Sequence, residues 1–304
     1  MDDLRHEPGF TSIRRVPARP RATQRPIGAI VLAAIVAIGA AGALFWVFRP
    51  DRLWDTPLRV GEAPAAQPAA APQPAASVAV LQPAPPGQAL GPADVEPALV
   101  RLLGRESVLR YLSTTDFPRR FVATVDNLAR PEAPSAAWPV HPAPGRFTAA
   151  RQGDAETIAE DNAQRYAPFV AFATSIDVPE AVALYRRLDP LLQQAYRELG
   201  FGSRSFHQRV LQVIDVLLAT PEPATPPRVT VVDVKGPAAA STRPWTRYEY
   251  VDPSLQRLAA GQKILLRVGP AHRAALKAKL RELRQELLKV SSIEAAQPGA
   301  AGRP

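Results

Sequence analysis

Residues Ile27 to Phe48 form one unbroken run of 22 uncharged residues, built from Ile, Leu, Val, Ala, Gly, Phe and Trp and bounded by Arg25-Pro26 and Arg49-Pro50. A helix over that run rises about 33 Å at 1.5 Å per residue, close to the roughly 30 Å hydrocarbon core of a bilayer. A buried core helix would carry a polar face, and six turns here carry none. A cleavable signal peptide is the stronger rival, because Ala41-Gly42-Ala43 resembles a small-residue cleavage site. Against it stand a basic leader of 26 residues and an apolar run that continues through Leu44-Phe45-Trp46-Val47-Phe48. Arg14-Arg15 is followed by Val16-Pro17, which does not suit a twin-arginine export signal. The reading is therefore an uncleaved single transmembrane helix over 27–48.

Orientation follows from the flanks, since Arg and Lys near a span are retained on the cytoplasmic side. The leader 1–26 carries Arg5, Arg14, Arg15, Arg19, Arg21 and Arg25, whereas Arg49, Arg52 and Arg59 follow the span among Asp51 and Asp55. This places the N-terminus in the cytoplasm and the bulk of the chain outside it. Trp46 and Trp54 suit the outer interface, where indole rings settle.

Composition narrows the chemistry. The chain has no cysteine, which excludes a disulfide framework, thiolate catalysis and Cys-ligated zinc or iron–sulfur sites. Its formal charge is +9, yet only five of the 37 basic residues are Lys. Richness in Ala, Arg, Pro and Gly fits a genome biased toward G and C, and this explains the excess more simply than an anionic partner does. No concentrated basic block follows the leader.

Residues 49–93 read as a juxtamembrane segment and a Pro/Ala-rich linker; Gly61 to Ala93 holds eight Pro and twelve Ala in 33 positions. Extended as polyproline II, those positions reach at most ~100 Å. Residues 94–290 then read as one mostly α domain, large enough for its own core. A helix capped by Asp94 carries Val95, Leu99, Leu102, Leu103, Leu109 and Leu112, with Gly104 as a break. A second starts near Asp116 with Pro118 in its first turn and runs to Leu128. Pro131 to Gly153 reads as an ordered loop containing Trp138, His141 and Phe147. Asp161 or Asn162 is expected to cap a short helix with Tyr166 and Phe169. The strongest periodicity runs from Val182 to Leu199, interrupted at Asp189-Pro190, where either a kink or a new helix capped by Asp189 is expected.

Gly200 and Gly202 read as a helix stop, followed by a helix from Phe206 to Leu218. Val229 to Val234 and Tyr248 to Val251 are expected to form a small two-stranded β ribbon. Pro253 to Val268 and Pro270 to Leu288 complete the helices, the last with Leu276, Leu280, Leu283 and Leu287 as its core stripe and Lys277 among its solvent-facing charges. Residues 291–304 read as a disordered tail.

Three strings carry a resemblance: Arg120 to Leu128, Leu184 to Gly200 with Pro190-Leu191-Leu192-Gln193-Gln194-Ala195-Tyr196-Arg197-Glu198, and Gly261-Gln262-Lys263 to Gly269-Pro270. Over most of the domain, Asp94 to about Leu288, the chain resembles a bacterial membrane-anchored family known as a domain of unknown function, numbered 3014. The resemblance implies a cell-envelope protein, and so a bacterial inner-membrane anchor with a periplasmic domain. It implies no chemistry.

Searches for chemistry return little. His141, His207 and His272 are far apart in sequence and His6 lies across the span, so no metal or other cofactor is expected. Gly200-Phe201-Gly202-Ser203 fails the nucleophile-elbow spacing, and Gly261-Gln262-Lys263 fails the phosphate loop. Asp126, Asp189, Glu198 and Asp215 lie beside apolar helix faces, and a carboxylate pair is what a cofactor-free cell-wall enzyme needs. Each also has a structural reading: Asp189 as a cap, Glu198 as an i,i+4 partner, Asp126 and Asp215 as buried charges paired with Arg.

Arg119, Arg120, Asp126, Asn127, Gln193, Gln194, Arg197, Gln262 and Lys263 are polar residues that accompany apolar stripes and are hard to assign to packing. They are expected to converge on one internal network or one partner surface, with the network preferred because buried polar groups need partners. Ala29, Ala33, Ala37 and Ala41 recur every four residues in the span, a spacing that permits homo-oligomers, although chance accounts for it in so Ala-rich a segment. The preferred function is a non-catalytic adaptor binding an envelope protein or cell-wall polymer. The alternative is the carboxylate enzyme. Nucleic acid is not an expected partner, since no aromatic-basic pattern supports it.

Overall fold

The computed structural model describes residues 77–232 and 247–295. The apolar run 27–48, its flanks and residues 49–76 lie outside those described, as do 233–246 and the tail from 296. Among the described residues no single helix is long and apolar enough to cross a membrane.

The described chain is mostly helical with a small antiparallel sheet. The first stripe is cut by Gly104, whose φ of +76° suits a residue without Cβ, into α1 (Val95–Leu103) and α2 (Arg105–Tyr111). The break turns Leu109 out to solvent, against the single-face reading. In α3 (Phe117–Leu128), Pro118 occupies the first turn, where its missing N–H has no intrahelical partner to lose. Its stripe of Phe121, Val122, Val125 and Leu128 is wholly buried.

A 3₁₀ turn, Glu160–Tyr166, leads into α4 (Ala167–Thr174). Asp177 then caps α5 (Val178–Tyr196), accepting from the Glu180 amide at 3.0 Å. Ser205 caps α6 (Phe206–Leu218) in the same manner. The last helices are the short α7 (Pro253–Gln256), α8 (Ala260–Arg267) and α9 (Pro270–Lys289). Helix α5 packs against α1, α3, α6 and α9, while α9 also covers α4, α6 and α8. Phe121, Leu188, Leu192, Phe206, Ile214 and Leu217 fill the space between them with no measurable exposure.

Two pieces of β structure flank the helices. Strand β1 (Ser77–Leu81) pairs antiparallel with β6 (Ser291–Ala295), Ser77 opposite Ala295 and Leu81 opposite Ser291. The second piece is a four-stranded antiparallel sheet in the order β2 (Ala149–Gln152), β3 (Ala155–Ile158), β4 (Arg228–Val231), β5 (Tyr248–Tyr250). Its β4–β5 pair, with Val229 opposite Tyr250, is the expected ribbon. The β2–β3 hairpin, not foreseen, turns on Gly153-Asp154 with φ of +61° at Gly153, the II′ arrangement that matches strand twist.

Several expectations are corrected. The linker does not run to Ala93 and the tail is not structureless from Ser291, because β1 and β6 satisfy each other's backbone. From β1 the chain stays on the domain: Arg186 on α5 donates to the carbonyls of Gln82 and Pro83, and Arg187 donates to that of Gln88. Asp189-Pro190 neither starts a helix nor makes Asp189 a cap, since α5 runs through Pro190 with its cap at Asp177. Asn162 is not a helix cap but a buried tie, accepting from the Thr148 amide and donating to the Arg267 carbonyl at 2.9 Å. Pro253 to Val268 is two helices rather than one. Lys277, expected at the surface, is buried, with its ammonium on Thr220 O at 3.0 Å and Glu222 at 2.6 Å.

Gly261 lets α8 lie against α3 and α6. A Cβ there would collide with Leu217 and come within 3.0 Å of the Leu128 carbonyl oxygen. Overpacking of this kind costs up to about 3 kcal/mol, whereas Ala gains only about 1 kcal/mol of helix propensity over Gly. Gly261→Ala is therefore expected to lose about 2 kcal/mol in urea denaturation; a neutral or stabilising result would mean that α8 moves freely.

Candidate functional site

At the end of α5 the chain makes a π turn, Arg197–Phe201, with Gly200 at φ +93° and Gly202 at +60°. That turn swings Phe201 back so that its half-buried ring stacks on Tyr196, centroids 4.2 Å apart and planes 12° apart. Gln193 then secures the return: its amide donates to the Arg204 carbonyl at 2.8 Å and its oxygen accepts the Phe206 amide at 2.9 Å. Helix α6 begins directly after. Ser205, Gln208, Arg209 and Gln212, spaced by three, four and seven along it, share a face. Together with Asp126 from α3, Arg130 just beyond its end, and Tyr196, Phe201 and Arg204, they enclose an open cleft of about 370 Å³.

The cleft is charged and its charges are unequal. Asp126 is 4% exposed; its two oxygens accept from Arg130 Nε at 2.6 Å and from Arg209 Nε at 2.8 Å. Arg209 also donates to the Asp126 carbonyl at 3.1 Å, tying α6 to α3 through one residue. The Arg130 guanidinium lies 5.8 Å from the Phe201 ring centre, within cation–π range. Arg204 is exposed at the mouth. Among the described residues, three arginines against one aspartate leave the lining with a net charge of +2. Burial, and after it the Asp126 carboxylate, pushes the Tyr196 phenol above its ordinary pKa, so its proton is retained.

The nine residues singled out from the sequence occupy separate places. Asp126 lines the cleft, and Gln193 holds its back wall. Arg120 supports the loop after α3, donating to Ala136 O at 2.8 Å. Gln194 bonds Glu198, and Arg119 and Arg197 face solvent. Asn127 is half-buried, and its carbonyl accepts the Arg130 amide. Gln262 caps α8 by accepting the Ala259 amide and reaches α6 at Val216 O, 3.0 Å away. Lys263 donates to Gln256 O, and burial lowers its pKa. They do not meet as one network. The sequence alone pairs Asp126 with no particular Arg, although Arg130 stands four residues on. Arg209 is 83 residues away in sequence and reachable only through the packing of α3 on α6.

Of the four candidate carboxylates, Asp126 alone lines the cleft. Glu198 bonds Gln194, and Asp215 pairs with Arg284 at 2.6 Å near the surface rather than in the interior. Asp189 is half-buried, and that burial raises its pKa. Among the described residues no group of three or more His, Asp or Glu is arranged to hold a metal ion.

On the far side of α6 lies a second polar feature. His207 Nε2 is 2.8 Å from Ser291 Oγ, whose own proton goes to Leu287 O at 2.6 Å. Ser291 therefore accepts, which makes Nε2 the protonated nitrogen and leaves Nδ1 to accept from Tyr185 OH at 3.4 Å. A buried, directional chain thus joins α5, α6 and the start of β6. Burial lowers the His207 pKa to about 4 and raises that of Tyr185.

The sequence model of the family described as "Protein of unknown function (DUF3014)" matches residues 117–284, which include every residue lining the cleft. No curated protein and no solved structure matches the chain.

Proposed function

For a chain that belongs to the DUF3014 family, we propose the role of a non-catalytic binding module, held at the bacterial inner membrane by the helix over 27–48 with its domain on the periplasmic side. One observation carries the binding reading. Among the described residues the cleft has one carboxylate, already neutralised by two arginines, and no second carboxylate lines the space. A glycosidase-type mechanism needs a separate acid and base across the scissile bond. A receptor needs what is present here: a concave space of suitable size with a few fixed polar groups and an aromatic wall. The anchor is supported by the 22-residue apolar run and by six arginines before it against three after it.

The test has two arms. Reporters that work only outside the cytoplasm, fused after Val60 and after the tail, are expected to be active at both positions; activity of cytosolic reporters instead would refute the anchor's orientation. A junction at Leu288 is unsuitable, because it would remove β6. A photo-crosslinker placed at Arg204 in intact cells is expected to capture one envelope component reproducibly, and the same probe at Arg119, outside the lining, is not. Equal capture at both would remove the cleft from consideration.

A further inference from the structure

We infer that the cleft takes an acidic peptide segment, a carboxylate flanked by an apolar or aromatic side chain, presented by a partner protein. This deepens the binding-module reading and rests on it. Three features of the lining point to that chemistry together. First, the net charge of +2 is displayed at the mouth: Arg204 is exposed, and Arg130, half-exposed, spends only its Nε on Asp126. Each retains guanidinium N–H donors for a carboxylate fork. Second, the Tyr196–Phe201 stack gives one wall an aromatic surface beside those charges, with Phe201 still partly open. Third, Gln208 and Gln212, one turn apart on α6, bring side-chain amides that both donate and accept, as a peptide backbone does.

A phosphate group fits the same arginines less well. Asp126 sits among them, and its negative charge opposes a dianion more than it opposes a single carboxylate at the rim. A phosphate also has no use for the aromatic wall or the paired amides. The volume of about 370 Å³ matches one or two side chains with their backbone, not a folded surface.

The experiment uses the full chain in neutral-lipid nanodiscs and three capped, fluorescent hexapeptides: alternating Glu and Phe, alternating Gln and Phe, and alternating Glu and Ala. Anisotropy is expected to show saturable binding of the Glu/Phe peptide, at least tenfold tighter than either control, weakening as salt rises. Arg204→Glu, at an exposed position whose replacement leaves the core untouched, is expected to weaken binding at least tenfold, and Arg119→Glu less than twofold. Equal binding of the Glu and Gln peptides, or an unchanged Arg204→Glu protein, would overturn the inference. So would displacement of the peptide by millimolar inorganic phosphate or by phosphatidylglycerol vesicles, which would assign the arginines to phosphate. If the peptides fail while the Arg204 crosslinker still captures its component, the binding module stands and only the ligand class falls.

Discussion

Lowering the pH from 7 to 4 is expected to remove on the order of 3 kcal/mol from the stability of the domain, through His207 alone. The imidazole is 1% exposed, between Tyr185 and Ser291, and burial brings its pKa to about 4 from an ordinary 6.5. A histidine depressed in the folded state contributes nothing unfavourable above its unfolded value, because it is neutral in both states. As pH falls below about 6.5 the unfolded chain takes up a proton that the folded one refuses, so stability declines until about 4. Asp189 acts in the opposite direction: its burial-raised pKa means the folded state takes its proton more readily as pH drops. Glu222 and Asp252, held low by Lys277 and by Ser254, add to the loss only below their ordinary 4.5 and 3.8.

Urea denaturation of the wild type and of His207→Gln at pH 7, 5.5 and 4.5 isolates the effect. Gln keeps a donor and an acceptor near the two ring nitrogens but does not titrate. Its stability is expected to stay nearly flat over that range while the wild type falls. Parallel curves for the two proteins would show that His207 is not the sensitive group.

Asp126→Ala is expected to cost about 2–3 kcal/mol. Breaking a buried ion pair by removing one partner typically costs 3–5 kcal/mol, because the remaining charge is left without compensation. Here the arginines are partly solvated, Arg130 being 49% and Arg209 23% exposed at the side chain, which reduces that figure. The variant also leaves three arginines facing one cleft with no anion among them. In a double-mutant cycle with Arg209→Met, the coupling is expected to exceed 1 kcal/mol. Additive single-variant effects would reduce the Asp126–Arg209 contact to a surface pair of little weight.

The helices were legible because they obey a local rule. Apolar residues at spacings of three and four put Phe121, Val122, Val125 and Leu128 on one buried face, and the same rule found Leu276, Leu280, Leu283 and Leu287. The pairing of Val229 to Val231 with Tyr248 to Tyr250 was legible by a different local rule, a β-branched run too short for a helix. What escaped was decided by distant partners. Ala149 to Gln152 has little strand character of its own and Ala155 to Ile158 only its final Thr157-Ile158; the two become a hairpin because β3 pairs with β4, which follows after the intervening helices. Strand β1 lies in a Pro/Ala-rich stretch and acquires its order from β6 at the other end of the domain. Lys277 reads as a surface residue until Thr220 O and Glu222 are seen beneath it. For the cleft, Asp126 was legible as a charge in need of arginine. The turn that brings Arg204 and Phe201 around to it depends on two left-handed glycines, and nothing in the spacing of the polar residues announces that.

Ser77 opposite Ala295 means that the described chain enters and leaves at one corner. With its two described ends paired, the domain is expected to tolerate a short link from Ala295 to Ser77 and reopening at the Gly153-Asp154 hairpin, giving a circular permutant that keeps the helical core. In the native order, Ser77 and Ala295 stand side by side, so the first and last described strands share one edge.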